Sequence, residues 1–132
     1  MPTFDNRIVG TWRLVLTRAR NETGEAMHPP YGPSPMGVVV FSADRRMISV
    51  LCDPRPVLPA DEPREYMSYC GAYTFDGTTL TTRVDAASDL SRIGGDQVRQ
   101  VRFDGARLVL VPPPRPWRGM TQHRELHWEK VD

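Results

Sequence analysis

Hydrophobic and polar residues alternate with a period of two along most of this chain, and the spacing typical of an amphipathic helix is almost absent. In the first such segment, apolar Trp12, Leu14 and Leu16 alternate with Arg13 and Thr17. Alternation of this kind is typical of β-strands with one buried face. It predicts eight strands and a weaker extended piece at 25–28; the strands are 8–17, 37–42, 46–53, 66–75, 78–86, 96–103, 106–111 and 120–131.

Two Asp-Gly pairs predict tight hairpins, because Asp-Gly suits the positive φ angles of short turns. They are Asp76-Gly77 in FDGTTL and Asp104-Gly105 in FDGARL, and SADRRM at 42–47 predicts a third short turn. The other connections are long and several are rich in proline or glycine; they span residues 19–36, 54–65, 87–95 and 112–119.

Traced as an up-and-down meander, these strands place all short turns at one end and all long connections at the other. The last strand then finishes beside the first, so the sheet can close without an exposed edge. We therefore predict an all-β protein, a closed antiparallel barrel of about eight strands, as one domain over residues 1–132. Trp12 and Trp128 are expected to meet at the tight end and seal the floor of the barrel.

Length and charge narrow the range of functions. The chain has 132 residues and a net charge of +1, which predicts one core and no nucleic-acid or membrane partner. The N-terminus lacks a signal-peptide pattern, so a cytoplasmic location is expected. Cys52 and Cys70 have neither metal-site nor redox-motif spacing and are expected to be reduced thiols.

No metal or cofactor site is predicted from the motifs. HRELH places His123 and His127 about 13 Å apart on a strand that rises roughly 3.3 Å per residue, too far to share one ion. The alternation also turns both histidines outward. No glycine-rich loop joins a strand to a helix, so nucleotide binding has no support.

Gly10-x-Trp12 in the first strand of an antiparallel barrel resembles the lipocalin signature. More closely, the chain resembles the bacterial lipocalin-like domain family, a calycin-type barrel, in GTWRLV, PPYGPSPMGVVVFSADRRM, YCGAYTFDGTTLTTRV, QVRQVRFDGARLVL and LHWEKV. The resemblance implies a calyx that binds a small, largely apolar molecule, although some lipocalin-like barrels are cyclases or isomerases of natural-product pathways. Relatives often carry histidines where this chain has Thr82 and Arg83, so a function that depends on them is not implied here.

Where one face of a strand is clearly more apolar, parity assigns the side chains that face the cavity. It directs Leu16 inward at the end of the first strand and Ala86 inward at the end of the fifth. Strands 37–42, 46–53 and 106–111 are apolar on both faces, so their parity stays open. Away from strand 96–103, the cavity-facing residues assigned as ligand-binding candidates are Met67, Tyr69, Thr82, Val84, Gln122 and Arg124.

Two parities compete in the strand at 96–103. In one, Gln97 and Arg99 point inward with Phe103; in the other, Gln100 and Arg102 point inward. The first is favoured because it turns the only aromatic side chain of the strand inward. A desolvated arginine needs a partner, and for Arg99 that partner is either a ligand oxygen anion or an internal acceptor.

The segment HPPYGPSPMG at 28–37 holds two further candidates. Proline and glycine stiffen it, so Tyr31 can form an aromatic lip over the mouth. His28 can act there as an acid or base near neutral pH. The alternative to a functional role for both residues is an ordinary packed loop with an exposed histidine.

The predicted fold and cavity-facing residues indicate two main functions. The first is a monomeric or homodimeric binding module for a small apolar or aromatic metabolite with an oxygen anion or carbonyl, oriented by Arg99, Gln97 and Tyr69. The alternative is a cofactor-independent cyclase, isomerase or dehydratase acting on a polyketide-like intermediate. There Arg99 or Tyr69 would stabilise an oxyanion and His28 or Tyr31 would move a proton. A third, weaker possibility is a partner-binding protein whose barrel is filled by its own side chains.

Overall fold

Nine β-strands form one antiparallel sheet that closes into a barrel, because the first strand pairs with the second and also with the last. The structure, a computed structural model, describes residues 4–131. The predicted closed all-β barrel is thereby confirmed. The strands are β1 (Gly10–Arg20), β2 (Met36–Phe41), β3 (Arg46–Cys52), β4 (Tyr66–Phe75), β5 (Thr79–Ala87), β6 (Asp96–Asp104), β7 (Arg107–Val111), β8 (Arg115–Trp117) and β9 (Met120–Lys130).

Strand β8 lies in a connection that the sequence predicts to be a loop. Strands β7 and β8 pair with successive segments of β9, separated by three prolines at 112–114. Proline cannot donate to a strand ladder, so the three prolines predict a loop and give no signal for the strand that begins at Arg115. The extra strand raises the barrel wall at the mouth. The weak extended piece at 25–28 contributes a single bridge, between Arg20 and Ala26.

The tight end of the barrel has the predicted hairpins. Gly77 and Gly105 have φ angles of +107° and +59°, which glycine adopts without steric penalty. The first strand begins at Gly10 rather than at residue 8, because residues 6–8 form a 3₁₀ turn across this end. Within that turn Ile8 is fully buried and its carbonyl accepts a hydrogen bond from Trp12 Nε1 at 2.9 Å.

The floor of the barrel is built from more than the two indoles predicted to seal it. Trp12 and Trp128 are both buried, but Trp128 lines the cavity above the floor. Tyr73 occupies the centre of the tight end, and its ring lies 5.6 Å from that of Phe4 and 5.1 Å from that of Phe41. The Tyr73 hydroxyl donates to the Ser42 carbonyl at 2.8 Å, which satisfies its buried polar group.

Two register shifts change the inward parity that the alternation predicts. The first lies between Leu14 and Leu16, so Thr17 is buried and Leu16 is only partly buried. The second lies beside Cys70 and Gly71, where β5 carries one extra residue; Ala86 is therefore exposed. A β-bulge inserts one residue and reverses the faces that follow it, which simple alternation cannot anticipate.

The parity that the sequence leaves open in three strands is decided by packing. Val39, Ser49 and Leu51 are buried inside the barrel, whereas Val38 and Ile48 remain 44% and 51% exposed on its outer face. Strand β7 buries Leu108, Val109 and Leu110 in succession, which means that both of its faces are covered. Cys52 and Cys70 are unbonded thiols, both partly buried. Residues 4–131 include no helix long and apolar enough to cross a membrane.

Candidate functional site

A cavity of about 620 Å³ opens at the end of the barrel that carries the long loops. This volume is within the range of small-molecule sites. Its inner walls are apolar and include Leu51, Met67, Leu110, Leu126 and Trp128. Along β9 the order from mouth to floor is Arg124, Leu126 and Trp128, so the lining changes from charged to apolar with depth.

Six of the ligand-binding candidates line this cavity, and their role in binding stays a prediction. Parity in β6 is the favoured one, since Gln97 and Arg99 face the cavity while Gln100 and Arg102 are exposed outside. The six candidate residues on the cavity wall are Tyr31, Met67, Tyr69, Gln97, Arg99 and Arg124.

Four candidates lie away from the cavity surface. Thr82 and Val84 are each 1% exposed and pack in the core, where Gly71 brings β4 close to β5. Gln122 is buried and lines a second, smaller pocket in the mouth loops. His28 is exposed and lines this same pocket of about 140 Å³. His28 thus lies in the wall of a neighbouring pocket, which shares Pro63, Glu65 and Trp117 with the cavity, and not in the wall that carries Arg99.

Five arginines line the cavity, and one of them, Arg64, donates to the carbonyls of Asp53 and Arg55 in the adjoining loop. We call the other four, which come from different elements, the arginine cluster: Arg92, Arg99, Arg115 and Arg124. Sequence patterns identify the two that lie on the long strands β6 and β9. Arg92 is in the 3₁₀ turn after β5 and Arg115 begins β8, so neither belongs to an alternating segment. Glu65, at the end of a long loop, is missed for the same reason.

Gln97 holds the first half of the cluster together. Its Oε1 accepts a hydrogen bond from Arg92 Nη1 at 2.5 Å and one from Arg99 Nη2 at 2.9 Å. Arg99 Nη1 also donates to the Val98 carbonyl at 3.0 Å. A neutral amide oxygen thus bridges two guanidinium groups at a place where a carboxylate would neutralise them.

Gln122 holds the second half in the same way. Its Oε1 accepts from Arg115 Nε at 3.1 Å and from Arg124 Nε at 2.8 Å. Arg124 Nη2 additionally forms an ion pair with Glu65 Oε2 at 2.9 Å. Arg124 is the one cluster member with a carboxylate at hydrogen-bond distance within residues 4–131.

The four arginines of the cluster outnumber the carboxylates that pair with them. Within residues 4–131 no carboxylate oxygen lies within 4.0 Å of a side-chain nitrogen of Arg99 or Arg115. Burial is the main cause that lowers the pKa of Arg99, and repulsion from other cluster arginines adds to it. The pKa of Arg115 is lowered for the same reasons in the same order. Arginine stays protonated in proteins, so the site presents uncompensated charge to the cavity.

Tyr31 lies in the cavity wall and has a strained backbone. Its φ of +63° lies in the left-handed region, which is rare for a bulky side chain. Its N–H donates to Glu65 Oε1 at 3.1 Å, and its ring centroid lies 5.7 Å from the Arg124 guanidinium carbon. Burial is the largest cause that raises the pKa of its hydroxyl. Strain that packing maintains beside a cavity is typical of functional sites.

Asp53 anchors the loops that surround Tyr31. Its carboxylate accepts hydrogen bonds from the backbone and side chain of Arg55, the shortest at 2.6 Å. It also abuts Gly32, where a Cβ would lie 2.7 Å from Asp53 Oδ1. The Arg55 hydrogen bonds are the main cause that lowers the pKa of Asp53 below its ordinary value.

This lowered pKa predicts how Asp53→Asn changes the pH dependence of stability. A carboxylate whose pKa is lower folded than unfolded stabilises the protein fully above its unfolded pKa of about 4, and that contribution is lost as the pH falls through the lower folded-state pKa. The variant should lose about 1 kcal/mol of unfolding free energy at pH 7 and a smaller amount at pH about 3. Urea unfolding at both pH values measures this, with exposed Asp104→Asn as control. An equal deficit at both pH values would contradict the assignment.

The two histidines of HRELH lie apart, as the strand geometry predicts. His123 is exposed and pairs with Arg20, whereas His127 pairs with Leu16. By parity His127 is on the outer face, yet it is 3% exposed and its Nε2 lies 3.0 Å from Glu125 Oε1. Residues 4–131 contain no group of three or more histidine, cysteine or acidic side chains able to hold a metal ion.

Comparison with protein families identifies the fold family of the chain. The model of the lipocalin-like domain family matches residues 9–131. Comparison with curated proteins gives no match, and neither does comparison with solved structures. The matched segment begins at the entry to β1 and ends after β9, so it spans the whole barrel. The chain therefore belongs to the lipocalin-like domain family.

Proposed function

We propose that this protein binds a small molecule with an apolar body and an anionic oxygen group. The observation that carries the proposal is Arg99, a partly buried guanidinium that faces a cavity of about 620 Å³ and has no carboxylate partner within residues 4–131. Taking an unpaired charge out of water is costly, and such a group is stabilised by a bound anion.

The ligand's body would occupy the deeper part of the cavity. Met67, Leu126 and Trp128 provide apolar surface there, while the polar groups are concentrated near the mouth. Burial of the apolar body would supply most of the affinity, and a few polar contacts would set its orientation. In this arrangement Arg99 and Tyr69 contact the anionic oxygen.

The other candidates would act at different distances from the ligand. Tyr31 and Gln97 line the cavity and are proposed to contact the ligand directly. Gln122 would position Arg124 through the hydrogen bond described above, and Thr82 and Val84 would shape the core behind the wall. Localisation in the cytoplasm and the choice between monomer and homodimer remain predictions from the sequence.

Two probes that differ by one group test the proposal. Anilinonaphthalene sulfonate and N-phenylnaphthylamine share an aromatic body, and only the first carries an anion. Arg99→Met should lower the affinity for the sulfonate about tenfold, the loss of roughly 1.4 kcal/mol expected for one charge-assisted hydrogen bond. It should leave the affinity for the neutral amine unchanged. Fluorescence titration of the native protein and the variant measures both.

Arg102→Met is the matched control, because Arg102 lies on the same strand, faces solvent and pairs with Glu125. This variant should bind both probes as the native protein does. Failure of the native protein to bind either probe, or loss of sulfonate binding in both variants alike, would refute the proposed role of Arg99. Thermal unfolding of all three proteins verifies that each is folded.

The enzyme alternative uses the same cavity. The presence of both Tyr69 and Arg99 on its wall supports it, since together they could stabilise an oxyanion. However, His28 lines another pocket, so the proton would have to be moved by Tyr31 or Tyr69. Binding is therefore the function that the geometry favours, and turnover of polyketide-like substrates by the native protein but not by Tyr69→Phe would support the alternative.

A further inference from the structure

We infer that Gln97 and Gln122 make the cavity selective for a ligand with two negative charges. This inference rests on the proposed function and deepens it, because it specifies the charge of the ligand's polar group. A phosphate monoester or a dicarboxylate on an apolar body has this chemistry.

Two arginines of the cluster have no carboxylate partner, which is why we infer a ligand with two negative charges. Glu65 pairs with Arg124 at 2.9 Å, and Asp89 lies 3.6 Å from Arg92 on the solvent side. Asp96, the other carboxylate of the lining, pairs with Arg83 outside the barrel at 2.6 Å. These pairs leave Arg99 and Arg115 of the cluster without a counter-charge among the described residues. Arg64, the fifth arginine of the lining, is directed at the neighbouring loop, where it donates to the Asp53 and Arg55 carbonyls.

The two glutamines explain why the excess persists. Each uses its Oε1 to accept hydrogen bonds from two guanidinium groups, at distances between 2.5 and 3.1 Å. A glutamate in either place would have the same shape and would form ion pairs with both neighbours. A site built for stability alone would use the carboxylate, since grouped like charges destabilise a protein unless a ligand neutralises them.

The native protein is tested first with a matched pair of ligands. Naphthyl phosphate is a dianion at pH 8, and its methyl ester is a monoanion with the same aromatic body. We expect the phosphate to bind at least about tenfold more tightly than the methyl ester, as measured by calorimetry. Equal affinities would overturn the inference.

The variants Gln97→Glu and Gln122→Glu test the role of the amides. Each should reduce the affinity for naphthyl phosphate about tenfold and reduce its preference over the methyl ester. Each should also raise the melting temperature of the free protein, because two arginines gain a carboxylate partner. A purely structural role would raise stability without any change in the preference between the two ligands.

Gln100→Glu is the control, because Gln100 lies on β6 as Gln97 does but is exposed on the outer face. It adds the same charge to the protein and should leave the preference unchanged. If Gln97→Glu and Gln122→Glu also leave it unchanged, the inference is wrong. If the sulfonate probe still binds in an Arg99-dependent way, the proposed function stands without the dianion selectivity; if no probe binds, both fail.

Discussion

Replacement of Gly71 by alanine is expected to destabilise the barrel by about 3 kcal/mol or more, a large fraction of the stability of a domain this size. A Cβ at this position would lie 1.9 Å from the Arg83 carbonyl oxygen and 3.2 Å from Thr82 Cγ2. The first of these is a backbone atom of the neighbouring strand, so no side-chain rotation can relieve the clash. The register shift between β4 and β5 brings the two strands together at this point.

Urea unfolding at neutral pH, followed by tryptophan fluorescence, measures the effect. Gly95→Ala is the matched control, because its Cβ would be 3.5 Å from the Arg92 carbonyl oxygen, an ordinary contact. The control should change the unfolding free energy by less than about 1 kcal/mol. A loss for Gly71→Ala no greater than that of the control would show that the strands do not approach each other as the structure describes.

Filling the cavity is expected to abolish binding. Leu110 and Leu126 are cross-strand partners on β7 and β9, and both line the cavity. Substitution of both by tryptophan would place two indoles in the space proposed for the ligand's body. We expect the affinity for N-phenylnaphthylamine to fall at least about a hundredfold, because the apolar contact and the space for it are both lost.

The stability of this double variant separates blockage from unfolding. Leu110 and Leu126 belong to the buried core but also border the cavity, so the indoles have free space beside them and the melting temperature should remain close to that of the native protein. Ile48→Trp adds an indole at a position that is 51% exposed on the outer face and should not affect binding. A folded double variant that binds the probe with native affinity would place the binding site outside the barrel.

Strand periodicity assigns some residues of the candidate site to the cavity but not others. Arg124 could be assigned to the cavity because its strand has one clearly apolar face, and Gln97 and Arg99 because Phe103 favours one of the two competing parities of theirs. Arg92 and Arg115 could not, since they come from a short turn and from a strand hidden behind three prolines. Each glutamine bonds one arginine two positions further along its own strand and one five or seven positions before it, so the arrangement depends on how the preceding turn or strand folds back.

Two of the failed predictions have local physical causes. Leu16 and Ala86 were assigned inward by strict alternation, but each follows a bulge that reverses the faces of the strand. The floor also contains more than the expected indoles of Trp12 and Trp128. The N-terminal 3₁₀ turn and the ring of Tyr73 close the floor, so Trp128 is left to line the cavity.

The alternation of side chains and the Asp-Gly turns were sufficient to determine the class of fold and which end of the barrel is tight. Both depend on short-range backbone geometry, which each segment carries in its own residues. Tertiary structure alone decided which polar groups meet at the mouth, because long loops position Tyr31, Glu65 and Arg92 without any periodic signal. It also decided the charge of the site, since a guanidinium is compensated or left uncompensated only by the groups that folding brings beside it.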